Sequence, residues 1–427
     1  MRLGAARHLG LLSRSRPFAS FAGAAFASGL GTWLAFVALT IDVYDRTGSG
    51  SWVAALLFVD VLPTVALGLA LGPLIDRLSR KRLMIGADLA RLAVFACLPF
   101  AQSPAQIVVL AGVAGVANGF FQPALYAALP NLVDESDLGS ANAFLRTIEN
   151  LTLTGGSLLG GTIVAASGPD VAYWLNAFSY AVSALLLMRI ASKRFQAEAS
   201  LSEGHWRDLA SGFSVVRGSP VLLAVLVAWS LALFAVGGSN VAEVLLAKRS
   251  FNAGDFGFAV LVAGAGAGLV VGSAASGRLI ARMRPARLYA GAIGLIALGI
   301  GAAAASPNVW LAAICVAVSG AGNGIAIVCN GVFVQRGTTD QFRGRVFALL
   351  MSATSAAVCL GMLVGGPLAD AIGPRSTWGG SALLLGLAAV TGFLLARRGA
   401  NLLAAQSAPA GTVPEVAAPP APPVAPA

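Results

Sequence analysis

Long apolar runs alternate with short polar segments along almost the whole chain. A helix that crosses a membrane needs ~20 apolar residues, because the hydrocarbon core is ~30 Å thick and each helical residue rises ~1.5 Å. Twelve runs approach or exceed this length, at residues 18–44, 52–75, 83–100, 107–129, 141–166, 171–190, 221–246, 256–280, 288–305, 309–334, 346–372 and 378–396. The pattern predicts an all-α integral membrane protein with twelve transmembrane helices, numbered 1 to 12 in chain order.

The first and second sets of six helices repeat one another at an offset of 205 residues. Polar and turn-forming pairs coincide at this offset: Asn118-Gly119 with Asn323-Gly324, Gly160-Gly161 with Gly365-Gly366, and Gly168-Pro169 with Gly373-Pro374. Matches of this kind are less easily explained by chance than matches between apolar residues. We therefore predict two pseudo-symmetric six-helix halves of the same orientation, related by an axis along the membrane normal.

Polar segments separate these halves from the rest of the chain. We predict an N-terminal segment over residues 1–17, an N-terminal half over 18–190, a linker over 191–220, a C-terminal half over 221–398 and a disordered Ala/Pro-rich tail over 399–427. Four arginines precede helix 1, as in a secretory signal. The apolar run after them is too long for a signal peptide, so we expect a membrane anchor.

Charge supports the membrane assignment and orients the helices. Only 11% of the residues are charged and 57% are apolar, against about 25% charged in soluble domains. Of the 28 basic residues, 22 lie in segments on one face of the predicted bundle and 4 on the other, while Arg91 and Arg146 lie within helices. This asymmetry, rather than nucleic-acid binding, explains the net charge of +10. By the positive-inside rule, we expect both termini in the cytoplasm and the protein in the bacterial inner membrane.

Residue types needed for enzymatic chemistry are scarce. The four cysteines lie singly in apolar runs, the only histidines are His8 and His205, and the chain lacks the GxxxxGK[ST], HExxH and GxSxG motifs. We expect no cofactor, no metal site and no enzymatic activity, and no ATP hydrolysis by this chain.

Several segments resemble the major facilitator superfamily. Residues 72–82 read GPLIDRLSRKR, similar to the signature between helices 2 and 3 of that family, and residues 277–287 read GRLIARMRPAR, similar to a degenerate second copy. Segments PNLV at 130–133, ANA at 141–143 and RGRVF at 343–347 resemble the branch that contains macrolide efflux proteins and the enterobactin exporter. The resemblance extends from about Ala19 to Arg398. It implies a secondary transporter whose helices 1, 4, 7 and 10 line a central cavity.

The first signature is a candidate gate. Its residues are Gly72, Asp76, Arg77, Arg80, Lys81 and Arg82. The glycine allows close helix approach, the carboxylate can face a helix N-terminus, and the cations can face helix carbonyl ends or lipid phosphates. Contacts made in one conformation and broken in another would form a switch. The alternative is a basic anchor that only sets topology.

Helix 5 carries a second motif of the family. Gly156, Ser157, Gly160 and Gly161 resemble the exporter motif GPxxGG, with serine in place of proline. Small residues at this spacing allow close packing, which we expect against helix 8 and its glycines at 264, 268 and 272. The resemblance implies export.

Ionisable residues inside the membrane are candidates for proton coupling, because burying them is costly. Asp60 lies ~13 Å deep on helix 2 with no partner within one turn, so it could bind and release protons or passively line a wet crevice. Asp88 with Arg91, and Arg146 with Glu149, have the i,i+3 spacing of ion pairs, which favours a structural role. Asp42 and Glu243 are expected near the interface, where burial costs less. The arginine and the acid that related antiporters carry on helices 4 and 1 are replaced by Asn118 and Thr32.

Uncharged polar and aromatic residues lie midway along the four expected cavity helices. They are Thr32, Trp33, Asn118, Gln122, Ser230, Asn323 and Asn330. Each could alternatively bond to a neighbouring helix. Together they suit a large amphiphile that is weakly polar or cationic.

These observations predict a monomeric secondary transporter that exports amphipathic, drug-like or siderophore-like molecules by alternating access and proton antiport. Its expected partners are the substrate, protons and membrane lipids, and not nucleic acid. An importer or uniporter of the same fold is the nearest alternative. A membrane receptor or scaffold without transport is the alternative from another class.

Overall fold

The computed structural model describes residue 12 and residues 15–70, 78–195, 213–338 and 340–407. Within these ranges the chain forms twelve long helices and no strand. They are α1 Arg16–Thr47, α2 Gly50–Ala70, α3 Arg80–Cys97, α4 Pro104–Ala128, α5 Leu138–Ser167, α6 Pro169–Met188, α7 Pro220–Leu245, α8 Gly254–Arg282, α9 Pro285–Ala305, α10 Val309–Gly337, α11 Asp340–Ile372 and α12 Pro374–Ser407. They correspond to predicted helices 1 to 12, so the predicted fold class is confirmed.

Local sequence explains where these helices start and stop. Gly168 and Gly373, which are equivalent in the repeat, adopt φ of 80° and 84°, a region that a residue with a Cβ enters only at a cost. The proline after each glycine starts the next helix, where its fixed φ fits and its missing N–H costs no hydrogen bond. At the start of α4, Ser103 and Gln106 form a reciprocal capping box. The Gly-Pro pairs of the repeat are thus two equivalent helical hairpin turns.

Length and composition identify the membrane-spanning helices. Ten of the described helices are long and apolar enough to cross a membrane, and α2 is apolar over Gly50–Thr64. The twelfth, α5, has the length but also carries Asn142, Arg146, Glu149 and Asn150. Two of these polar residues, Arg146 and Glu149, pair with each other. The chain is therefore a multi-pass membrane protein.

Helix packing follows the sequence repeat. In the N-terminal half, α1 packs against α5 and α6, α3 against α4 and α6, and α2 against α4. The C-terminal half repeats this arrangement: α7 packs against α11 and α12, α9 against α10 and α12, and α8 against α10. The halves meet where α2 contacts α11 and where α5 contacts α8. The two pseudo-symmetric halves are thus present in the packing as well as in the sequence.

Two faces of this bundle are named below. The basic face carries the start of α1 and the end of α6, and the far face carries the α1–α2, α5–α6, α7–α8 and α11–α12 connections. Of the linker predicted over 191–220, residues 196–212 lie outside the described residues, as does the predicted tail beyond 407. The start of that predicted tail, residues 399–407, continues α12 as a helix. Its Ala- and Leu-rich sequence favours helix, so the predicted boundary was too early.

Glycine packing corrects one expectation. Gly156 and Gly160 of α5 pack against α1, where a Cβ would lie 2.8 Å from the Leu30 carbonyl oxygen and 2.7 Å from that of Leu34. Only Gly161 of the motif faces α8. The α8 glycines 264, 268 and 272 pack against the α10 alanines 313, 317 and 321, because one glycine stripe serves one neighbour. α5 packs against α8 as predicted, but it does so through Gly161, and the α8 glycine row packs against α10 instead.

Candidate functional site

A cavity of about 530 Å³ lies between the two halves. Its walls are mainly apolar, and the polar or charged side chains that line it are Thr32, Thr40, Asp60, Arg91, Asn118, Gln122, Tyr180, Ser239, Asn240, Glu243, Ser319 and Asn323. Trp33, Phe36, Phe95 and Trp378 add aromatic surface. This combination of apolar walls and a few polar groups is typical of a small-molecule site.

The structure places five of the seven predicted cavity residues on this wall: Thr32, Trp33, Asn118, Gln122 and Asn323. Ser230 and Asn330 are not among the lining residues. The lining part of α7 spans residues 236–243 and that of α10 spans 316–323, so these two side chains lie nearer the basic face. The wall also includes residues of α2, α3, α8 and α9, beyond the four helices that the resemblance implied.

A smaller cavity of about 70 Å³ continues from this site toward the basic face. It shares Thr32, Trp33 and Gln122 with the larger cavity and adds residues such as Ser28 and Glu149. These residues lie closer to the basic-face ends of α1 and α5. A partly polar path thus leads from the central cavity toward that face.

A buried ion pair supports the wall formed by α3. Arg91 and Asp88 are 2% and 0% exposed, and Nη2 of Arg91 donates to Oδ1 of Asp88 over 2.6 Å. Ser183 of α6 donates to the other carboxylate oxygen over 2.7 Å. The Arg91 guanidinium also lies 4.4 Å from the ring centre of Phe121 and 4.3 Å from that of Tyr180. Both charges are therefore held by partners on three helices, as a buried ion pair requires.

The same arginine reaches the middle of α4. Its Nη1 lies 3.4 Å from Oδ1 of Asn118. In the repeat, Asn118 corresponds to Asn323, whereas Arg91 corresponds to Ile296, and all four residues line the cavity. The two walls thus share an asparagine at one equivalent position but differ in charge at the other.

Asp60 faces the cavity without a partner of its own. Among the described residues, no hydrogen bond or ion pair of its carboxylate is seen. Gly115 of α4 lets the α2 backbone come close at this level, since a Cβ there would lie 2.6 Å from the Asp60 carbonyl oxygen. Close packing of α2 on α4 thus presents this acid to the cavity.

Glu243 is a cavity residue that the sequence analysis did not include among the candidate cavity residues. Its side chain is 9% exposed, it lines the cavity, and its Oε1 has no hydrogen-bond partner in the described structure. One signal was available: Ser239 and Asn240 precede it on the same helical face, and no charged residue occurs on α7 before it. Glu243 lies near the far-face end of α7, at the expected depth, but its side chain faces the cavity, which the sequence analysis did not predict.

Contacts across the halves cluster at the far face, and we name them the far-face latch: Asp370, Lys248 and Arg249 with their partners. Asp370 at the end of α11 accepts hydrogen bonds from the start of α2, namely from Ser49 Oγ, Gly50 N, Ser51 N and Ser51 Oγ, over 2.9, 2.6, 2.9 and 2.8 Å. The carboxylate thus satisfies free N–H groups of a helix N-terminus in the opposite half.

The rest of the latch is formed by cations of the turn after α7. Lys248 lies 2.5 Å from Asp45 of α1 and 2.6 Å from Asp255 of α8, and Arg249 donates to the Gly48 carbonyl oxygen. Gly366 and Gly50 also pack backbone to backbone, since a Cβ at Gly50 would lie 2.9 Å from the Gly366 oxygen. These contacts close the bundle at the far face.

The gate motif is described in part. Gly72, Asp76 and Arg77 lie outside the described residues. Arg80 donates to the Ala127 carbonyl at the end of α4 over 2.6 Å, and Lys81 donates to the Met188 and Ile190 carbonyls at the end of α6 over 3.0 and 2.5 Å. Arg82 is exposed. Two of the cations therefore cap helix C-termini, the contact that their charge favours.

The two remaining predicted positions lie on α5. Arg146 and Glu149 form an ion pair of 2.9 Å, and Tyr126 donates to Glu149, so this acid is already engaged near the smaller cavity. Arg146 is 68% exposed, so the pair is far less buried than that of Asp88. Ser157, in place of the motif's proline, donates to the Leu153 carbonyl of its own helix over 2.7 Å.

Three known proteins are similar over most of their length. The uncharacterized MFS-type transporter YfiS of Bacillus subtilis is 30% identical, covering 81% of this chain and 85% of its own. The multidrug efflux pump Tap of Mycolicibacterium fortuitum is 27% identical, covering 86% and 93%. Macrolide efflux protein A of Streptococcus pyogenes is 21% identical, covering 79% and 85%. The predicted resemblance to the branch with macrolide efflux proteins is confirmed.

The fold has counterparts among solved structures. A bacterial homologue of the iron transporter ferroportin in an inward-facing state superposes with a TM-score of 0.71 at 14% identity, covering 89% of this chain and 98% of that chain. The sequence itself matches the Major Facilitator Superfamily over residues 21–349, with a second match over 229–420. Taken with the twelve helices and the cavity between repeated halves, this match shows that the chain is a membrane transporter, not an enzyme, and belongs to the Major Facilitator Superfamily.

Proposed function

We propose that this transporter exports amphipathic small molecules across the cell membrane by alternating access. One observation carries the proposal: a largely apolar cavity lies between the halves, and the halves are joined beyond it by the far-face latch. Opening the latch while closing the basic face would expose the same cavity to the other side. The names of Tap and macrolide efflux protein A, which describe export of drugs by those proteins, favour this direction.

The basic face is proposed to be cytoplasmic, since it carries most of the Lys and Arg residues. The structure would then correspond to an inward-facing state, with the smaller cavity leading toward the cytoplasm. An amphiphile from the cytoplasm or the inner leaflet could enter along this path. The latch would face the outside of the cell. In bacteria with two membranes, it would face the periplasm.

Proton antiport is the proposed energy source, and Asp60 is the proposed proton carrier. The Asp60 carboxylate is exposed to the cavity and has no partner in the described part of the chain, whereas Asp88 and Glu149 already have partners. One charge moving through 100 mV releases ~2.3 kcal/mol, enough for about a fifty-fold gradient. The ion pairs Asp88–Arg91 and Arg146–Glu149 are proposed to hold their helices in place.

Everted membrane vesicles test both proposals. Adding a lipophilic drug to energised vesicles should partly collapse the pH gradient, and the Asp60→Asn variant should abolish this response while Asp134→Asn, an exposed acid on the basic face, should not. Drug accumulation that is indifferent to a protonophore would exclude antiport and favour a uniporter. A cavity-filling Asn118→Trp variant separates transport from a scaffold role, because a scaffold would tolerate it.

A further inference from the structure

Glu243 is a buried cavity acid that the proposed proton pathway does not use. Its Oε1 has no hydrogen-bond partner among the described residues, although the side chain is only 9% exposed. Ser239, one turn before it on α7, is already engaged. Ser239 donates to the Val236 carbonyl over 2.9 Å, and the Ser239 carbonyl accepts from Trp378 Nε1 over 2.9 Å. Within the described residues, the Glu243 carboxylate is therefore buried with one oxygen that accepts no hydrogen bond.

The cations around the cavity are committed to other groups. Arg91 on the opposite wall is held by Asp88 and lies between two aromatic rings. Lys248, five residues after Glu243, is bound by Asp45 and Asp255. Arg249 and Arg375 donate to backbone carbonyls. None of these four is seen to pair with Glu243.

The cavity thus combines an excess of acid with aromatic surface. Asp60, on the other half, adds a second carboxylate that has no ion-pair partner within the residues the structure describes. Trp33, Phe36 and Trp378 line the same space, and ring faces attract cations. An organic cation would supply the charge that Glu243 lacks, and its apolar groups would contact the remaining walls. A neutral or anionic molecule would leave the acid unpaired, at a desolvation cost.

We propose that Glu243 is the anchoring residue for the charged centre of lipophilic organic cations, such as protonated amines and quaternary ammonium or phosphonium compounds. This inference rests on the proposed export of amphiphiles and adds the charge of the preferred substrates and the residue that selects them. Asp60 keeps the proton-carrying role, so charge recognition and coupling lie on different halves of the cavity.

A matched pair of ligands tests the anchor. Methyltriphenylphosphonium carries a permanent positive charge, and triphenylphosphine oxide is a neutral molecule of similar size and shape. Binding to the purified full-length protein in lipid nanodiscs can be followed by quenching of tryptophan fluorescence, because Trp33 and Trp378 line the cavity. Because the phosphonium charge cannot titrate, any effect of Glu243 reports on recognition of the ligand rather than on ligand protonation.

Removing one partner of a buried charge pair weakens binding by about 30-fold or more. In Glu243→Gln we expect this loss for methyltriphenylphosphonium and less than about a threefold change for triphenylphosphine oxide. Glu243→Asp should recover much of the binding of methyltriphenylphosphonium. Glu135→Gln, an exposed control on the basic face, should bind both ligands like the wild type.

Equal changes for both ligands in Glu243→Gln, or no change for either, would overturn the anchoring role. If Glu243→Gln does not fold, Glu243→Asp still provides a test. A folded Glu243→Asp protein that binds methyltriphenylphosphonium no better than triphenylphosphine oxide would also overturn the anchoring role. Failure of the wild-type protein to bind or transport either ligand would instead count against the proposed export of amphiphiles. The two failures are therefore distinguishable.

Discussion

The far-face latch offers a direct test of how the two halves are held together. Asp370 accepts four hydrogen bonds from the start of α2, which belongs to the other half, and it does so near solvent. In Asp370→Asn the side chain keeps one acceptor oxygen but loses its charge, and its new NH₂ group faces donors. The variant should therefore weaken the latch without disturbing the apolar core.

The expected size of the effect follows from these contacts. A carboxylate at an exposed helix N-terminus contributes about 0.3–1 kcal/mol, and a hydrogen bond to a charged group about 1.5–3 kcal/mol. Because the site is exposed and the asparagine can still accept some of the four hydrogen bonds, we expect the latch to lose about 2 kcal/mol of stability. That loss raises the ratio of far-face-open to far-face-closed protein about 30-fold.

Distances between spin labels at the far face measure this ratio. Trp174 and Trp310 are exposed, lie near the far-face starts of α6 and α10, and belong to different halves. Each can be replaced by a labelled cysteine in a background without the four native cysteines. Pulsed dipolar spectroscopy in nanodiscs should show a larger long-distance population in Asp370→Asn than in the parent or in Asp134→Asn. An unchanged distribution would show that these hydrogen bonds do not hold the far face closed.

Two further predictions concern packing inside the N-terminal half, and each pairs a variant with a control. Arg91→Ala should lower the free energy of unfolding by about 3–5 kcal/mol, because Asp88 would be left buried and unpaired, and the double variant Arg91→Ala/Asp88→Ala should recover part of it. Thermal melts in nanodiscs measure this, and a single variant that melts like the wild type would refute the role of the pair. Gly160→Ala should lower the melting temperature, since its Cβ would lie 2.7 Å from the Leu34 carbonyl oxygen, whereas Gly155→Ala, which enters open space, should leave it unchanged or raise it. Equal effects of the two alanines would contradict the proposed close contact of α5 with α1.

Features that depend on near neighbours in the chain were predictable. The apolar runs, the Gly-Pro turns of the repeat and the i,i+3 spacing of Asp88 and Arg91 all depend on residues within a few positions of one another. Helix geometry then brings such groups together whatever the rest of the chain does. The repeat also required only comparison of the sequence with itself.

Positions that depend on helix orientation were predicted less well. Ser230, Asn330 and Glu243 are all polar residues on α7 or α10, and only the last lines the cavity. Their distance from the membrane edge can be counted along the sequence, but the direction in which each side chain points cannot. A chain this apolar gives little periodic contrast between lipid-facing and cavity-facing sides, so the hydrophobic pattern carries little information on direction.

The sequence by itself determined that this is a twelve-helix membrane protein of two repeated halves, because a membrane span requires a long apolar run and a repeat leaves matching turns. Only the tertiary structure decided that Asp370 meets the start of α2 and that Glu243 and Asp60 share one cavity. Asp370 and Gly50 are separated by 320 residues, and no local rule relates residues so far apart. Contacts between the halves arise from packing of whole helices, and the direction in which each helix faces its neighbours is set only when all of them pack together.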